Sequence, residues 1–85
     1  MAKFTYSMTD AEAKLALKKS FLGNGGVGNI AVLKEKDNLL VVGAPMMTVK
    51  IQFNNGTCET KASLFGKVLL KTVETKIELT EGFKK

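Results

Sequence analysis

The chain has 85 residues, a net charge of +5 at pH 7 and 45% hydrophobic content, which suits one small domain with one modest core. It contains no histidine, so Ser-His and Cys-His pairs and His-containing zinc sites are excluded. A single cysteine excludes an internal disulfide and points to a reducing compartment.

In chain order, Phe4 and Tyr6 alternate with Lys3 and Thr5, which predicts a short strand from Lys3 to Ser7. Thr9-Asp10-Ala11-Glu12 has the spacing of a capping box, in which Thr9 accepts from a backbone N–H and Glu12 reaches back. The helix it starts is expected to run to Leu22 and stop at Gly23. Its apolar stripe is Ala13, Ala16, Leu17 and Phe21, and Leu15 and Leu22 lie off that stripe. Strands are expected from Asn29 to Lys34 and from Leu39 to Gly43, joined by the polar run Glu35–Asn38. Gly43-Ala44-Pro45 interrupts the pattern, since proline cannot donate to a central ladder, and Met46 to Phe53 resumes it.

Asn55-Gly56 is the strongest turn signal, because both central positions of a type I′ hairpin turn need positive φ. It predicts a return strand from Thr57 to Ala62 with Phe53 facing Cys58, Ile51 facing Thr60 and Val49 facing Ala62 on one side. Gln52–Glu59 and Lys50–Lys61 then fall on the other side, the lysine pair mildly repulsive with Glu59 as its diagonal partner. A long helix is expected from Leu64 to Glu81 with Ser63 as its cap. Its stripe is Phe65, Val68, Leu69, Thr72, Val73 and Ile77, widened by Leu70 on one edge and by Leu64 and Leu79 on the other. That arc is wider than one sheet contact needs. Gly82 ends the helix and Phe83-Lys84-Lys85 is read as a tail. The order β-α-β-β-β-β-α in one domain over residues 1–85 is that of an α+β fold, two-layered, with an antiparallel four- to five-stranded sheet and two helices on one face.

Gly23, Gly25 and Gly28 match G-x-G-x-x-G, but a dinucleotide site needs a strand before that loop and a helix after it, and here the order is reversed. The run is read as a helix end and a connection. Cys58 has no base near it in sequence and is expected to be a buried packing residue. Met46-Met47 is read first as core filling. The eight acids show no metal-loop spacing. No catalytic residue, cofactor or metal is therefore assigned, and the chain is not expected to be an enzyme.

All 13 basic residues are lysines, which offer point charges rather than the bidentate grip of arginine. They are spread along the chain, with six lysines against four acids in residues 1–42 and seven against four in residues 43–85. On that spread, nucleic-acid binding is the least favoured of three binding readings. If Lys34 pairs with Leu39, the first hairpin has Ile30, Val32, Leu39 and Val41 on one face and Ala31, Leu33, Leu40 and Val42 on the other. Both faces are apolar, and a two-layer domain covers only one. The candidate interface is therefore Ala31, Leu33, Leu40, Val42, Leu70, Val73 and Ile77, with a homodimer or protein partner expected before a small apolar ligand held between sheet and helix. No apolar run is long enough for a membrane span, and Met1–Tyr6 lacks the apolar segment of a signal peptide, so the expected location is cytoplasmic.

Overall fold

A computed structural model describes residues 2–22 and 30–85. The order is β1 (Lys3–Thr5), α1 (Asp10–Leu22), β2 (Val32–Lys36), β3 (Leu39–Ala44), β4 (Met47–Phe53), β5 (Thr57–Ala62) and α2 (Lys67–Leu79). The glycine run at 23–28 and the expected strand start at 29 lie outside the described residues. The five strands form one antiparallel sheet in the order β1-β5-β4-β3-β2, so the N-terminal strand pairs with β5.

The second hairpin has the register its turn dictates. Asn55 and Gly56 both take positive φ, 47° and 92°, and Asn54 and Thr57 close the turn with reciprocal backbone bonds. Phe53 then opposes Cys58, Ile51 opposes Thr60 and Val49 opposes Ala62. Across the sheet, Phe4 opposes Cys58, Leu40 opposes Ile51 and Val42 opposes Val49, so one face carries a continuous apolar layer. Ala13, Leu17 and Phe21 of α1 and Val73 and Ile77 of α2 are buried in the same cluster.

The first hairpin departs from its expected pairing. Asp37-Asn38 forms a two-residue turn, Lys36 opposes Leu39 and Glu35 opposes Leu40. A bulge at Leu33 then shifts the alternation by one residue, so Val32 opposes Val42 and joins the inner face instead of the outer one. The tighter turn is favoured because it extends the ladder and points Glu35 to the helical side, where its carboxylate meets Lys18 at 2.7 Å and Lys14 at 3.2 Å. Lys14 also donates to the carbonyl of Lys36 at 2.7 Å, so α1 crosses the end of the sheet that carries the hairpin turns.

The capping box that starts α1 is complete. The Glu12 N–H donates to Thr9 Oγ1, and the Thr9 N–H donates to Glu12 Oε1, both at 3.1 Å. The helix α2 starts three residues later than its apolar pattern suggests, because Leu64–Gly66 form a turn instead of its first turn of helix. The C-terminal residues are not a free tail. Phe83 is buried against Tyr6, ring centroids 5.4 Å apart, and Lys84 exchanges backbone hydrogen bonds with Thr5. That bridge covers part of the β1 edge, while the opposite edge strand, β2, is protected by Lys34, Glu35 and Lys36. Replacing Thr9 by Ala is expected to lower the unfolding free energy by about 1 kcal/mol in urea titration, leaving the m-value unchanged.

Candidate interaction surface

Most of the titratable groups with special surroundings tie the fold together. The Asp10 carboxylate accepts from the Tyr6 hydroxyl at 2.5 Å and from the N–H groups of Asn55 and Gly56 at 2.9 and 3.2 Å. One side chain at the start of α1 thereby holds the β4–β5 turn and the end of β1. The Tyr6 hydrogen bond and then the two backbone donors keep the Asp10 pKa below the usual carboxylate value. Burial, followed by the hydrogen bond and charge of Asp10, raises that of Tyr6. Glu12 is lowered by its bonds to Thr9, and Glu35 by its bonds to Lys18 and Lys14.

Cys58 is fully buried on the inner face between Phe4 and Phe53, and desolvation, with the Asp10 charge second, pushes its thiol up to about 12. A thiol so far from ionisation is a poor nucleophile. Thr60, also fully buried, donates to Glu74 at 2.8 Å and accepts from the Ala2 N–H at 3.1 Å. Among the described residues no three acids or thiols are grouped to hold a metal ion, and no helix is long and apolar enough to cross a membrane.

The sequence-derived interface divides in two. Leu40, Val42, Val73 and Ile77 are fully buried, enclosed in the core between the sheet and the two helices within the chain itself. Leu70 is half-buried beside them, while Ala31 and Leu33 are exposed near the free edge. The apolar outer face expected for the first hairpin is also smaller than its pattern implies. Ile30 and Val32 turn toward the core, leaving Leu39 half-buried and Val41 8% exposed on the outside.

A different apolar surface is exposed at the end of the sheet opposite the two hairpin turns. The Thr48 carbonyl accepts from the Ser63 N–H at 2.9 Å, and Ser63 Oγ accepts from the N–H groups of Thr48 and Gly66, both at 3.1 Å. Gly66 lies so close that an added Cβ would stand 2.1 Å from the Thr48 carbonyl oxygen. These contacts draw the β3–β4 turn and the entry to α2 together. Met46 is 72% exposed, Leu64 77%, Phe65 57% and Val68 77%. Leu64 and Phe65 lie in the turn that leads into α2 and Val68 in its first turn, so the three follow one another closely at this end of the domain. Leu79, 80% exposed, continues the same uncovered flank three turns on.

Sequence pattern alone places Phe65 and Val68 on a buried stripe. The delayed start of α2 and its rotation about Val73 and Ile77 turn them outward. The signal available was the width of the apolar arc, which exceeded what one sheet face covers. No protein-family model, curated protein or solved structure matches the chain.

Two outcomes follow from this geometry. Gly66→Ala is expected to destabilise the fold by about 1–3 kcal/mol, read by urea titration, because the α2 entry must shift off Thr48. Stability is also expected to fall on both sides of neutral pH. Asp10, Glu12 and Glu35 have folded pKa values below their unfolded ones, so their contribution is present above about pH 4 and is lost as pH falls through the folded values. Cys58 is raised, so its contribution is full below its ordinary value of 9.0 and is lost as pH rises toward about 12. Urea titrations from acid to alkaline pH test both limbs, and Cys58→Ala is expected to remove the Cys58 share of the alkaline one, leaving the share of Tyr6, whose pKa is also raised.

Proposed function

We propose that the chain is a non-enzymatic interaction module that associates with a second copy of itself through the exposed flank of α2 and the β3–β4 turn. The observation that carries this reading is the grouping of Met46, Leu64, Phe65 and Val68, four large apolar side chains each more than half exposed at one end of the domain. Apolar side chains exposed singly are ordinary, whereas several drawn together by adjoining turns mark a contact surface. A two-fold contact lets one such patch cover its own copy, and two-fold dimers are the commonest assemblies of soluble chains. The proposed location is the cytoplasm, in keeping with a single cysteine held as a buried free thiol.

A carrier of a small apolar ligand is the weaker reading. Phe4, Phe21, Phe53, Leu17, Leu40 and Ile51 fill the space between sheet and helices, each no more than 1% exposed. The role proposed calls for no cofactor.

Sedimentation velocity over a range of concentrations tests self-association. The expected result is a reversible dimer whose affinity falls at least about tenfold in Val68→Lys, a loss of roughly 1.4 kcal/mol. Leu15→Lys, a change at an exposed position on α1, is expected to leave it unaltered. A chain that stays monomeric at high concentration overturns the reading.

A further inference from the structure

We propose that the open face of the sheet binds the phosphate backbone of nucleic acids without reading their sequence. Alternation along the strands sends Lys3, Lys34, Lys36, Lys50 and Lys61 to the face that no helix covers, with Glu59 as the single acid among them. The remaining eight lysines of the chain are set against seven acids, so almost the whole net charge of +5 is concentrated on this face. All five lysines are exposed.

The register arranges them. Lys34 opposes Val41, Val41 opposes Lys50 and Lys50 opposes Lys61, which makes a row across four strands. At about 4.8 Å between neighbouring strands, that row spans roughly 14 Å, about four base steps along the axis of a duplex. Glu59 lies 4.0 Å from Lys3 at the far side and is not the partner of the Lys50–Lys61 pair. Among the described residues, no acid stands within ion-pair distance of Lys34, Lys36, Lys50 or Lys61. Two lysines directly opposite each other repel, and their charges are left for a ligand to neutralise. Shallow clefts of about 280 and 270 Å³ adjoin this pair, one lined by Thr48 and Ser63, the other by Gln52 and Glu59.

The chemistry of the face selects its occupant. Lysine presents point charges suited to phosphate, and the face has no arginine to grip a guanine edge and no aromatic ring to stack a base. A lipid surface is bound by charge together with inserted apolar side chains. Of the apolar residues within the row and beside it, Val41 is 8% exposed and Leu39 half-buried, and Leu33 next to Lys34 is exposed, a single large apolar side chain. The surface concerned is distinct from the apolar end formed by Met46, Leu64, Phe65 and Val68, so the two proposals fail independently.

Fluorescence anisotropy with labelled mixed-sequence single strands and duplexes provides the test. With three phosphates neutralised, affinity is expected to fall roughly 20- to 40-fold between about 50 and 200 mM salt, with no preference among sequences. The double variant Lys50→Gln/Lys61→Gln is expected to reduce the slope of log affinity against log salt by about 1.4–1.8. Its thermal midpoint is expected to hold or rise, since it removes a like-charge pair, which separates loss of binding from loss of fold. Lys67→Gln/Lys71→Gln, on the exposed side of α2, is expected to leave the affinity unchanged. Absence of binding at low salt, a slope unaltered by Lys50→Gln/Lys61→Gln, or retention by anionic vesicles but not by nucleic acid would each overturn the proposal.

Discussion

The structure depends on one constraint: two helices of 13 residues each cover only one face of a five-stranded sheet. The strands therefore sort their side chains mostly by period-two alternation, apolar toward the helices and polar toward water, with Leu39 and Val41 of β3 and Glu35 of β2 as departures. Phe4, Cys58, Phe53, Ile51, Leu40, Val42 and Val49 obey on one side, and the lysines obey on the other. The same constraint limits α2. Its buried line runs through Val73 and Ile77, Leu69 and Leu70 pack half-buried beside it, and Val68 and Leu79 are left exposed. Both proposed surfaces, one charged and one apolar, are what a small two-layer domain leaves over after its single core is filled.

The ends of the layers are held by polar contacts rather than by more apolar area. Asp10 joins α1 to the β4–β5 turn and to Tyr6, while Glu35 joins α1 to β2 through Lys14 and Lys18. The chain terminus is drawn in by Phe83 on Tyr6 and by Lys84 on Thr5. Apart from the Tyr6–Asp10 bond, these ties span residues far apart in sequence, and Asp10, Glu35 and Tyr6 are groups that could equally have been read as a site. Asp10 and Tyr6, with their shifted ionisation, illustrate why perturbed titration alone does not identify chemistry: the same hydrogen bonds that shift them hold the fold.

How much could be read in advance varied with the range of the interaction. The second hairpin was legible residue by residue, because Asn55-Gly56 specifies a turn type and a turn type specifies a register. The capping box at Thr9 and Glu12 was legible for the same reason, being closed within four residues. The first hairpin was not. Glu35–Asn38 is compatible with a four-residue loop or a two-residue turn, and Glu35 reaching Lys14 and Lys18 on α1 favours the shorter one. The bulge at Leu33 has no signal in local pattern. Four of the seven predicted interface residues, Leu40, Val42, Val73 and Ile77, are consequently inside the chain, while Phe65 and Val68 are outside it.

The amino-acid sequence by itself determined the element order, the α+β class, the face-by-face content of β4 and β5, and the absence of the usual hydrolytic groups, all matters of local spacing and composition. Tertiary structure decided which apolar residues were surplus and where the charge went. Five of the 13 lysines scattered along the chain come together on one face because alternation and strand order act together, and strand order is set by long-range pairing. The 45% hydrophobic content signalled an excess over one core, but only the rotation and late start of α2 located it at Leu64, Phe65 and Val68. A net charge of +5 likewise has no position until the sheet is assembled.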